Sequence, residues 1–333
     1  MHLKKTLLIG CSPSSGSTAI AARLNNIENI FVAPELSIFG NGCFFNKDHS
    51  IDKHLLANII LGSYESRLSL SHEDPFLFNP YPAINLNHFD AIGSPLEKLN
   101  IENSNLQDLM QEIFKNQSNY DYIIEKSPSN IWALSKILDT EIKYIHIVRN
   151  GYYAIASMVG RGFPLIVAAA IWTIENYIFN AYSKKNSSNM FLVKYENFFR
   201  SEDDELIKLF QFISNSKSYP VFDSKSYLGP SKLDTWKYDV NEKNQKINNR
   251  LNLTIADLKL INSFKISIPK KMRLTLDNPQ AEISFAEVMS QFGYSIKPNP
   301  LGIFFNKKKL MSAHLARYQI SAFKNFIFSK FLC

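Results

Sequence analysis

Cysteine is scarce, with Cys11, Cys43 and Cys333 as the only three in 333 residues. They are too few and too scattered for a disulfide framework, no CxxC pair occurs, and no Cys/His cluster has zinc-site spacing. These absences argue against a stapled or zinc-built fold and fit a reducing, cytoplasmic compartment. Long apolar runs are missing too. The longest candidate, residues 163–181, is interrupted by Trp172, Glu175 and Asn176, so nothing approaches the roughly 20 apolar residues of a membrane span. Lys4 and Lys5 before an apolar run superficially resemble a secretory signal, but that run, residues 6–9, is too short and leads into a Gly/Ser loop instead of a cleavage site. It reads as a buried strand. Acidic residues are absent after position 296, where Lys297, Lys307, Lys308, Lys309, Arg317, Lys324 and Lys330 lie. This tail carries the whole formal excess of +7, so the body is neutral and a global basic field for nucleic acid is not supported.

What is present is enough apolar material for a large core, with 45% hydrophobic and 13% aromatic residues. Short runs rich in β-branched and aromatic residues occur at 5–10, 120–125, 143–149 and 190–194. Between and after them, helical spacing occurs at 18–24, 106–116, 131–138, 152–158, 165–182 and 205–214. Strands alternating with helices predict an α/β fold, a P-loop-like doubly wound parallel sheet with helices on both faces. Residues 79–93 and 219–236 are irregular, and 255–264 and 281–293 read as helices, the latter closing at Gly293. The expected organisation is one α/β domain over 1–296 and a basic, aromatic tail over 297–333.

Gly10-Cys-Ser-Pro-Ser-Ser-Gly-Ser-Thr18 follows the first strand and precedes a helix. Small residues in that place let successive backbone N–H groups converge on an oxyanion, and the helix N-terminus adds its dipole. Ser15, Ser17 and Thr18 can add hydroxyl donors. The same residues also suit a plain strand-to-helix turn. An ATP-type loop, GxxxxGK[ST], is disfavoured because the spacing from Gly10 to Gly16 is one residue longer and Ser17 stands where its lysine belongs.

Three elements in order resemble the superfamily of sulfotransferases that use 3′-phosphoadenosine 5′-phosphosulfate (PAPS). Pro13-Ser14-Ser15-Gly16-Ser17-Thr18 is similar to that family's PRSGTT or PKSGTT loop, with Ser14 in place of the basic residue. Glu125-Lys126-Ser127-Pro128 at a strand end is similar to a Glu-Lys-Ser or Lys-x-Pro element whose lysine contacts the transferring group. Taken alone, Lys126 reads as a solvated strand end. The segment from Lys143 through Arg149-Asn150-Gly151 to Ser157 looks like the family's 3′-phosphate site, where an arginine after the strand and a serine two helical turns on grip one phosphate. A forked guanidinium and a hydroxyl suit that task. Asn150 departs from the usual aspartate. Tyr195-Glu196 resembles a Tyr-Glu-Asp element and reads as mostly structural, and Ser231 and Lys232 are weaker nucleotide candidates beside Trp236.

The resemblance implies PAPS as co-substrate, PAP as product, and binding by Ser14, Ser15, Gly16, Ser17, Thr18, Arg149 and Ser157. It implies charge stabilisation by Lys126 and proton acceptance by Glu35, which follows the first helix in Ala33-Pro-Glu35-Leu. A capping carboxylate is the other reading of Glu35, and His72 and His88 are the fallback bases. The charge missing at Ser14 predicts weakened donor binding or a substitute cation such as Arg23. The acceptor class is open. The tail suits either a peripheral contact with an anionic membrane or a docked terminal helix. The rival readings are an ATP-Mg kinase and a non-catalytic PAP- or glycan-binding module.

Overall fold

The computed structural model describes residues 5–33, 35–36, 106–117, 119–137, 140–161, 163–222, 253–268, 273 and 280–296. The irregular segment 79–93, His72, His88, Ser231, Lys232 and the tail 297–333 lie outside the described residues.

Strand β1 (Lys5–Cys11) leads through the Gly/Ser loop into α1 (Ser17–Asn25) and β2 (Ile30–Ala33). Then come α2 (Leu106–Ile113), β3 (Tyr122–Lys126), a 3-10 turn (Pro128–Ala133) running into α3 (Leu134–Ile137), and β4 (Lys143–Val148). Helices α4 (Gly151–Gly160) and α5 (Leu165–Lys185) precede β5 (Met190–Lys194), which is followed by α6 (Tyr195–Arg200) and α7 (Glu202–Ser214). Last are α8 (Ile255–Asn262), β6 (Lys265–Ser267), β7 (Glu282–Ser284) and α9 (Phe285–Gln291). Strands β1 to β5 form one parallel sheet in the order β2-β3-β1-β4-β5.

The alternation along each strand divides the core in two. Leu7, Ile9 and Cys11 face one side with Ile20 and Leu24 of α1 and Leu206, Leu209 and Ile213 of α7. Leu8 faces the other, where Trp132, Ile155, Met158, Trp172 and Phe285 meet. Because helices cover both faces, the strands must be apolar throughout, as the fully buried β4 shows. The doubly wound expectation therefore holds.

The structure differs in three local places. Ile30–Ala33 is a fifth strand of the sheet that four residues are too few to announce. The segment expected as one helix over 281–293 begins as β7, antiparallel to β6, because Ile283 is needed in the core. Its helix starts at Phe285, where Ser284 and Glu287 form a capping box. Residues 131–138 do not form one regular helix. They start within a 3-10 turn because Ser127 N–H and Asn130 Nδ2 both donate to the Ile9 carbonyl, tying the segment to β1.

Candidate functional site

The connection from β1 runs toward β2 on one side of the sheet, and that from β4 runs toward β5 on the other. Such a switch point opens a crevice at the strands' C-terminal ends. The loop after β1 and the turn after β4 are the two segments that border it.

Ser14 and Gly16 both take left-handed backbone, with φ of 65° and 86°. The Ser12 and Ser15 hydroxyls hydrogen-bond at 3.0 Å beneath them. This curl delivers the chain into α1 with Gly16 at its N-cap, leaving the first-turn N–H groups, Ser17 and Thr18 among them, without intrahelical carbonyls. Gly16 has a second reason to lack a side chain. A Cβ there would lie 2.2 Å from Cε2 of Tyr195.

The Tyr195 ring also underlies Arg149, whose guanidinium carbon stands 4.7 Å from the ring centroid. Arg149 is 7% exposed, and its Nη1 donates to the Ser14 carbonyl at 3.2 Å. Its backbone is pinned as well: Trp172 Nε1 donates to the Arg149 carbonyl at 3.0 Å, and the next amide, Asn150 N–H, donates to Glu196 Oε1 at 2.9 Å. The departure at Asn150 has a local account, since its Oδ1 accepts from Tyr152 N–H at 3.1 Å and caps α4. Asparagine caps about as well as aspartate.

Helix α4 carries half-buried Ser157 two turns in, and Arg161 follows it by four residues, on the same face. Arg161 Nη1 donates to Ser14 Oγ at 3.2 Å. Two guanidiniums therefore converge on the residue that replaces the expected cation. The expected substitute, Arg23, is elsewhere: it pairs with Glu202 on α7 at 2.7 Å, which corrects that expectation.

At the end of β3, Lys126 is 1% exposed, so the reading as a solvated strand end fails. Its Nζ donates to Glu35 Oε2 at 2.8 Å and to Thr18 Oγ1 at 3.2 Å. The charged residue, the loop hydroxyl and the candidate base, drawn from three segments, thus share one point. What holds Glu35 there is its neighbour's backbone. Leu36 N–H donates to Glu125 Oε1 at 3.0 Å, and Glu125 also accepts from Ser127 Oγ and Asn130 Nδ2. Burial pushes the Glu125 carboxyl up to about 7, although its three donors pull the other way.

Sequence reasoning missed Glu125, Asn130, Arg161 and the ring of Tyr195. Only Arg161 had a usable signal, its four-residue spacing from Ser157. His146 is a core residue. Its Nε2 bonds Asn176 Oδ1 at 2.9 Å, it stacks on Phe179, and burial lowers it to about 4, so it is neutral.

A five-stranded parallel sheet with an anion-type loop at its switch point defines an α/β fold of the P-loop-like kind. Over residues 7–216, well over half of the chain, the sequence matches the model of the sulfotransferase family, and the chain belongs to that family. Among solved structures, the sulfotransferase domain from the Synechococcus PCC 7002 olefin synthase is 20% identical, with 89% of this chain and 98% of that one covered at a TM-score of 0.47. The sulfotransferase domain from the curacin biosynthetic pathway is 15% identical, with 89% and 100% covered at 0.48. A sulfotransferase from Alicyclobacillus acidocaldarius is 12% identical, with 68% and 88% covered at 0.40. No curated protein is matched. Among the described residues no helix is long and apolar enough to cross a membrane.

Proposed function

We propose that this protein transfers a sulfuryl group from PAPS to a hydroxyl or amine acceptor such as a carbohydrate, lipid or small metabolite. One observation carries the reading: Arg149, from the turn after β4, hydrogen-bonds the Ser14 carbonyl in the loop after β1, so two phosphate-handling elements border one crevice. A nucleotide with phosphates at both ends of its ribose needs that adjacency. The residues present fit it: the first-turn amides of α1, those of Ser17 and Thr18 among them, and the Thr18 hydroxyl would hold one end, and Arg149 with Ser157 would hold the 3′-phosphate. Arg161 supplies the positive charge that Ser14 lacks.

PAPS brings the reactive sulfuryl group, and the protein contributes positioning and charge, as in phosphoryl transfer. Glu35 accepts the proton of the acceptor's hydroxyl or amine. In doing so its carboxylate becomes neutral, and the ion pair with Lys126 at 2.8 Å loses its attraction. Lys126 is then released toward the bridging oxygen on which charge develops as PAP leaves. Base and charge stabiliser are coupled through one contact.

The test has two parts. Thermal shift is measured with 3′,5′-ADP, with ATP-Mg²⁺ and without ligand, and labelled sulfate transfer from PAPS is then screened over acceptor classes. Stabilisation by 3′,5′-ADP alone, and transfer that falls by at least about 100-fold in Lys126→Met and Glu35→Gln, are the expected results. Stabilisation by ATP-Mg²⁺ alone would replace the reading with a kinase. Binding of 3′,5′-ADP without transfer to any acceptor would leave a binding module.

A further inference from the structure

The chain beyond the family match folds back onto the site. Gly151 N–H contacts Met289 Sδ at 3.3 Å, and a Cβ on Gly151 would lie 2.5 Å from Phe285 Cε2. The turn that carries Arg149 is therefore seated on α9. From the end of that helix Tyr294 reaches further: its hydroxyl donates to Glu196 Oε2 at 2.7 Å, while Glu196 Oε1 accepts the Asn150 N–H at 2.9 Å.

We infer that Tyr294 is a positioning residue for Arg149, acting through Glu196 and the Asn150 amide. Glu196 is half-buried, its Oε1 holds the amide next to Arg149, and its carboxylate and the Arg149 guanidinium both act electrostatically on the Tyr294 phenol. Among the described residues no ion pair joins the two. A carboxylate so placed has two options: it can hold the peptide that follows Arg149, or it can turn to the guanidinium and compete with a phosphate for it. The Tyr294 hydroxyl decides between them by occupying the second oxygen. Burial, reinforced by the Glu196 carboxylate, keeps this phenol above its ordinary value, so it remains a donor at neutral pH. The ring itself packs on the core that includes Phe292 and Met289, and Tyr294 N–H is held by the Met289 carbonyl at 3.0 Å. Removing the hydroxyl leaves that packing in place.

The inference rests on the reading that Arg149 takes the 3′-phosphate, and the experiment separates the two. Binding of 3′,5′-ADP and of 5′-AMP, which lacks only the 3′-phosphate, is measured by calorimetry on wild type, Tyr294→Phe, Glu196→Gln and the double variant. The expected result is about a 10-fold weaker 3′,5′-ADP affinity in Tyr294→Phe, the size of one hydrogen bond to a charged group, with 5′-AMP unchanged. In the Glu196→Gln background, where no carboxylate competes for Arg149, the same substitution is expected to cost less than about 2-fold. An unchanged preference in Tyr294→Phe, or an equal loss for both nucleotides, would overturn the positioning role. No preference for 3′,5′-ADP in wild type would overturn the donor reading beneath it.

Discussion

Replacing Tyr195 with alanine removes a ring that touches both halves of the proposed nucleotide site. The ring lies 4.7 Å from the Arg149 guanidinium and fills the space that a Gly16 side chain would need. A cation–π contact of this kind is worth about 0.5–2 kcal/mol, the upper end applying where the pair is desolvated. Arg149 is nearly buried, so the upper half of that range applies. Converted to affinity, the 3′,5′-ADP Kd is expected to rise roughly 8- to 30-fold, read by titration calorimetry. Tyr195→Phe keeps the ring and is expected to stay within about 3-fold of wild type. A folded Tyr195→Ala variant with wild-type affinity would refute the claim that the ring orients the guanidinium.

Three further outcomes follow from the same geometry. Gly16→Ala forces a side chain into left-handed backbone, at about 1–2 kcal/mol, and against Tyr195. Lower stability and at least about 10-fold weaker 3′,5′-ADP binding are expected, and wild-type values for both would contradict the loop geometry. Glu175 is fully buried, with neither carboxyl oxygen hydrogen-bonded among the described residues, and burial holds it well above its ordinary 4.5. Its raised value means that wild-type stability falls as pH rises above about 4.5. Glu175→Leu should therefore be more stable at pH 7 by about 1–3 kcal/mol in urea denaturation, the gain shrinking toward acid pH; a loss at all pH values would contradict this. His146 shifts the opposite way, from 6.5 to about 4. Its contribution is whole above pH 6.5 and lost as pH falls through 4, by about 3 kcal/mol; His146→Gln should flatten that acid limb, and an unchanged slope would refute it.

The sheet was legible because strands covered on both faces are apolar throughout, so runs such as residues 143–149 stand out against the helical spacing around them. The Gly/Ser loop, Lys126 and Arg149 stood out as candidates for a related reason: each sits at a strand-to-helix junction, where residue type and position are both constrained. Glu35 beside Lys126 was expected only through resemblance, since the contact spans 91 positions and depends on β2 lying beside β3. The substitute cation could be inferred but not placed. Arg161 had its spacing from Ser157 as a signal, but only the fold shows that α7 claims Arg23 through Glu202 while α4 aims Arg161 at Ser14. Glu125 was hidden by type, because a carboxylate at a strand end reads as solvated until Leu36, Ser127 and Asn130 close on it. The same holds for Tyr195 and Tyr294, whose ordinary composition gives no sign that one supports Arg149 by its ring and the other by way of Glu196.

The most direct measurement is a pair of calorimetric titrations, 3′,5′-ADP against 5′-AMP, on wild type and on Arg149→Ala. A nucleotide held at both ends requires wild type to favour 3′,5′-ADP by at least about 10-fold, the worth of a charged contact to the added phosphate, and Arg149→Ala to bind both nucleotides alike. Equal affinities in wild type, or a preference that survives loss of the arginine, would contradict it.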